Sequence, residues 1–148
     1  MVQAAGGGEP LSYLGHARGA SKAQFNPGVP HWIAYDFDDS GRREIYVQAF
    51  EPGKPASPAR WQISNGGGMM PRWRGDGKEI FYLSLEGKMM AARVSSDGAA
   101  FRSSTPQFLF NASPPICAHP ISNTTFANMV FLLGSVAAIG PLVSLRRV

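Results

Sequence analysis

The chain holds a single cysteine, Cys117, among its 148 residues. One thiol excludes an internal disulfide framework and any metal site built from several cysteines, and a lone Cys is more often a small buried hydrophobe than a nucleophile. Charge is sparse too. Only 16% of residues are charged, and the net +4 arises from separated pairs such as Arg42-Arg43 and Arg146-Arg147. Nucleic-acid binding needs cations clustered on one face, so that partner class is not expected. His16, His31 and His119 stand at no metal-ligand spacing, and no Ser-His-Asp set follows from their order. Neither a metal ion nor a cofactor is expected. Long helical periodicity is absent between the termini. Residues 1–8, MVQAAGGG, have neither the positive start nor the apolar core of a secretory signal, so no export by this chain itself is expected.

What remains is rich in turn formers, with 17 Gly and 12 Pro, and 44% hydrophobic. Short β-branched and aromatic runs are bounded by Gly, Pro, Asn and Asp, which predicts an all-β protein. Residues 31–37 (HWIAYDF) and 43–50 (REIYVQAF) form a hairpin across Asp38-Asp39-Ser40-Gly41. The Pro-rich residues 51–58 form an exposed loop, because each Pro removes a ladder donor. Residues 60–64 (RWQIS) resume a strand.

The same order then returns. Pro71-Arg72-Trp73 leads through Gly75-Asp76-Gly77 into residues 79–83 (EIFYL), and Glu86-Gly87 turns the chain into residues 88–94. Phe25 matches Trp73, Tyr35 matches Tyr82 and Gly41 matches Gly87, at offsets of 48, 47 and 46 residues. A repeat near this length, holding about four short strands, is the period of a β-propeller blade. Residues 9–14, 60–64 and 106–110 each precede a repeat, and a degenerate third copy is expected over residues 121–133.

Residues 23–27 (AQFNP), 32–35 (WIAY), Ser40-Gly41, 44–47 (EIYV), 61–64 (WQIS), 66–68 (GGG), 71–73 (PRW) and 76–82 (DGKEIFY) carry a resemblance. Together they resemble the TolB-type, WD-repeat-like β-propeller family. The closest likeness is to propellers at the C-terminal, extracytoplasmic end of bacterial membrane-bound serine/threonine kinases. The likeness is dense over residues 9–110 and thin afterwards. It implies a partial β-propeller of about two to three antiparallel four-stranded blades. Residues 1–24 would be a tail and the last strand of a preceding blade, 25–64 and 65–110 would be blades, and 111–148 a degenerate blade or apolar tail. This chain departs from the family's Ser-Pro-Asp-Gly-like opening, having Asn26-Pro27-Gly28-Val29-Pro30 in the first copy and no Asp-Gly in the third. It also lacks the Gly-rich loop, His-Arg-Asp and Asp-Phe-Gly motifs of a kinase.

Several short patterns invite a sharper reading. Arg74-Gly75-Asp76 spells an adhesion tripeptide, but Asp76-Gly77 is fully explained as a turn. The acids of residues 36–41 resemble a calcium loop, yet the twelfth position, which needs a bidentate acid, is Val47. Gly66-Gly67-Gly68 precedes no helix start and no Lys-Ser or Lys-Thr pair, so it reads as a flexible connection between blades. Asn111-Ala112-Ser113 and Asn123-Thr124-Thr125 match a glycosylation sequon, which matters only in a glycosylating pathway. No charge occurs from residue 103 to 145, and the uncharged residues 126–145, followed by Arg146-Arg147, are about long enough to cross a bilayer. Periodicity favours strands there over a membrane helix.

Propellers close with about four to eight blades, so this chain is expected to need the remaining blades, a protein partner or further copies of itself. The functional expectation is a noncatalytic sensor or protein-interaction scaffold, with Trp32, Trp61 and Trp73 as interaction anchors or, alternatively, as blade core. Membership of a kinase receptor would make it periplasmic or extracytoplasmic. The alternatives are the propeller part of a prolyl-peptidase-like hydrolase without its catalytic domain, and a small membrane-anchored protein using residues 126–145.

Overall fold

The computed structural model describes residues 21–112 apart from 30, 39, 40, 52, 98 and 99. Within them the architecture is all-β, as the alternation predicts, and comprises two antiparallel sheets of four and five strands. The first sheet is a meander of β1 (Ser21–Phe25), β2 (Trp32–Asp38), β3 (Arg43–Ala49) and β4 (Arg60–Gln62). The second contains β5 (Met69–Trp73), β6 (Glu79–Leu83), β7 (Lys88–Asp97), β8 (Ala100–Ser103) and β9 (Gln107–Asn111). β7 is long because, besides β6, it serves two further partners. Lys88–Ala91 pairs with β9, while Val94–Asp97 pairs with β8 in a ribbon beyond the sheet.

Turn chemistry sets the hairpins. Gly41 and Gly87 adopt φ of 80° and 75° at the β2–β3 and β6–β7 turns, a conformation that costs glycine little and other L-residues much. The two sheets repeat one another in their first strands: Phe25 and Trp73 end those strands, and each pairs with the next strand at Ile33 and Ile80. Tyr35 and Tyr82 both stand fourth in the second strand.

The faces matter more than the order. Trp32, Ala34, Ile45, Val47 and Ile63 of the first sheet pack against Trp73, Ile80, Tyr82 and Ala92 of the second in one core. By strand alternation, Ile80 and Tyr82 match Ile33 and Tyr35, which lie on the opposite face of β2 from Trp32 and Ala34. Unlike faces therefore meet. The second sheet's other face, Phe81, Leu83, Met89 and Ala91, is a second buried cluster, and its members match the side that the first sheet turns to its neighbour.

Residues 63–68 join the sheets, and Gly67 and Gly68 among them are packed rather than loose. Gly67 has φ of 103°, and a Cβ on Gly68 would lie 2.9 Å from both Ile45 Cγ1 and Tyr82 Cδ2. The connection expected to be flexible is thus held by close approach of the two sheets.

Candidate functional site

Trp32 is 2% exposed and Trp73 5%, so the indoles considered as anchors lie in the core. The Trp32 ring meets Trp61 edge-on with centroids 5.3 Å apart, and Phe101 from β8 lies 5.0 Å from Trp32 and 5.7 Å from Trp61. Trp61 keeps partial exposure. The polar handle of Trp73 is also spent: Nε1 donates to the Gln24 carbonyl at 3.0 Å, and its backbone N–H donates to Gln24 Oε1 at 3.0 Å. In this structure neither Trp32 nor Trp73 presents a face to another molecule.

Alternation alone did not point to β8. Its burial pattern has one buried residue, Phe101, among exposed Ala100, Arg102 and Ser103. The local signal was Asp97-Gly98, a residue pair that favours turns. The ribbon straps across the seam between the sheets and plugs the Trp32–Trp61 pair.

At the Arg74-Gly75-Asp76 corner the two charged side chains are bound to each other. Arg74 Nε donates to Asp76 Oδ1 at 2.8 Å and Nη2 to Oδ2 at 2.6 Å, while Nη1 donates to Glu79 Oε2 at 2.8 Å. The guanidinium holds the Asp76 carboxyl down to about 2, with the Lys78 N–H bond at 3.0 Å adding to it. Gly77 closes the turn on the Arg74 carbonyl at 2.8 Å. Arg74 and Asp76 thus form a closed ion pair on a turn.

That turn is tied to the first sheet. Asn26 Nδ2 donates to the Gly77 carbonyl at 2.9 Å, and its Oδ1 accepts from the backbone N–H of Gly28 and Val29 at 2.8 and 2.9 Å. Buried Asn26 thereby organises the turn after β1 and the turn after β5 at once. Beside it lies a shallow cavity of about 270 Å³, lined by Asn26, Asp76, Lys78, Ser95 and Phe101 among others.

Two buried carboxylates complete the seam. Asp36 accepts from Arg43 Nη1 and from the Met70 backbone N–H, both at 2.9 Å. Its carboxylate, considered above as a calcium ligand, is committed to the sheet junction, and Asp38 of the same run is exposed. Glu44 accepts from Ser64 Oγ and from the Gly67 N–H at 3.0 Å, and Arg42 pairs with it at 2.8 Å. Burial, with Glu44 nearby, pushes the Tyr82 hydroxyl up to about 12.

His31 is exposed; His16, Cys117 and His119 lie outside the described residues, as do residues 121–133 and 126–145 and the sequon at Asn123. Among the described residues no three His, Cys, Asp or Glu side chains gather to hold a metal ion, and no helix is long and apolar enough to cross a membrane. The chain matches no protein-family model, no curated protein and no solved structure in comparison with each set.

Proposed function

We propose that this chain is a noncatalytic β-propeller segment acting as a protein-interaction scaffold, its two sheets being successive blades. The observation that supports this reading is the unlike-face packing: the first sheet meets the second through the face opposite to its own equivalent. Such a contact is heterologous, so repeating it generates either a closed ring or an open stack. A propeller is the closed outcome, at about four to eight blades. The chemistry at the seam fits a scaffold as well. Asp36, Glu44, Asn26 and Gln24 all spend their polar atoms on joining sheet to sheet or sheet to connector.

On this reading the binding surface lies on the loops at the sheet ends, where exposed Val29 and Leu85 sit, rather than on the buried indoles. A receptor kinase of the bacterial envelope is the setting that the resemblance favours. The test is electron microscopy of the chain joined to the sequence that flanks it in its gene. A ring of stacked sheets around a channel is expected, and an isolated two-sheet body would reject the proposal. The flanking sequence itself separates the settings: a kinase domain and membrane helix upstream for a receptor, a Gly-x-Ser-x-Gly domain downstream for a hydrolase.

A further inference from the structure

The outer edge of the second sheet is built unlike a protected edge. β9, Gln107–Asn111, reads QFLFN: uncharged, aromatic and without proline inside the strand. Among the described residues its only strand partner is β7, through Lys88↔Asn111, Met89↔Phe110, Met90↔Phe108 and Ala91↔Gln107. The opposite side of β9 therefore offers backbone donors and acceptors to another strand. Its side chains agree. Phe108 is 53% exposed and Leu109 39%, two of the four large hydrophobic residues that stand exposed in the described structure. Natural edges are guarded by charge, proline, a covering loop or a bulge. Of these, among the described residues, β9 has only the bulge, where Leu109 falls between the residues facing Met89 and Met90.

We propose that β9 is a β-augmentation edge and that its occupant is the β9 of a second copy of this chain, paired antiparallel about a two-fold axis. The strand is self-complementary. With no charge from residue 103 to 145, an antiparallel copy meets no like charge across the new ladder. A two-fold contact also uses the same edge of both copies, so it stops at a dimer rather than growing into a fibre. Phe108 and Leu109, both exposed to water, gain cover beside the added strand. The contact uses a sheet edge and not a sheet face, so it stands or falls independently of the blade-stacking proposal.

Sedimentation velocity of the full chain over a wide concentration range, together with amide hydrogen exchange, tests the pairing. A concentration-dependent dimer is expected, with exchange in residues 107–111 slowed as the dimer forms. Phe108→Lys places like charges at the two-fold contact and should weaken the dimer by about tenfold or more. Ala59→Lys, an exposed site on the loop before β4 and away from the edge, should leave dimerisation unchanged. Should F108K fail to fold by circular dichroism, Gln107→Lys on the same strand makes the same demand. A chain that stays monomeric throughout, or association without protection over 107–111, would overturn the proposal.

Discussion

The Asp36 carboxylate of the first sheet accepts a hydrogen bond at 2.9 Å from the backbone N–H of Met70 in the second, a residue whose φ is 59°. Positive φ is unfavourable for methionine, and it falls where the pairing of β5 with β6 shifts register between Met69 and Arg72. The buried carboxylate thus holds a strained bulge in a strand that contacts β1, β2 and β3 together. Arg43 at 2.9 Å supplies the opposite charge, and the Asp36 side chain is only 1% exposed.

Asp36→Ala should therefore destabilise the fold by about 3 kcal/mol, since it strands the Met70 N–H and takes a carboxylate from the partly buried Arg43 guanidinium. Asp36→Asn keeps an acceptor for Met70 and should cost less. Urea unfolding of both variants measures the difference. Equal losses would show that the charge pair with Arg43, and not the bond to Met70, is what the junction needs.

Phe101→Ala should unplug the aromatic seam. Phe101 is 6% exposed and touches both Trp32 and Trp61, so truncation should cost about 3 kcal/mol, the lower end for a buried Phe because the β7–β8 ribbon can settle inward. Water reaching the indoles should shift tryptophan emission to longer wavelength. An unchanged spectrum with full stability would mean that the ribbon does not seal the seam.

The strand order was legible because turn formers punctuate it: Gly41, Asp76-Gly77 and Gly87 stand at hairpin turns, and aromatic alternation marks the strands between them. The β7–β8 ribbon was not, because exposed Ser95, Ser96 and Asp97 show no apolar alternation and only Phe101 anchors it. The seam was hidden for a different reason. Asp36 lies 34 residues from Met70, and Asn26 lies 51 from Gly77, distances over which local patterning carries no information. Parity held a clue for one of them: Asp36 shares its face of β2 with Trp32 and Ala34, so an acid stood where a core residue belongs. The same long-range contact explains why the indoles were read as candidate anchors: their large apolar surface suits an interface and an interior equally well.

The two glycines flanking Asp76 should behave oppositely. Gly75 has open space around its Cβ position, so Gly75→Ser should stay within about 0.5 kcal/mol of the parent. Gly77 has φ of 71°, and a Cβ there would sit 2.2 Å from Asn26 Oδ1. Gly77→Ala should cost about 1–2 kcal/mol from the backbone alone, and more if Asn26 is pushed off the Gly77 carbonyl. Thermal unfolding of the pair checks this, and similar melting points would refute the tie between the two turns.

Acid should act on the same corner through Asp76. Its carboxyl titrates at about 2 in the folded chain against an ordinary 3.8, so folding favours the ionised form. A depressed pKa contributes stability that is fully present above 3.8 and is lost as pH falls through about 2. The side chain is 45% exposed and its partner Arg74 24%, so the contribution should not exceed about 1 kcal/mol. Asp76→Asn should thus be slightly less stable than the parent near neutral pH and converge with it in strong acid. Carboxyl chemical shifts followed by NMR give the midpoint directly. A midpoint at the ordinary value would mean that Arg74 is drawn to Glu79 in solution and leaves Asp76 free, reopening the tripeptide to a partner.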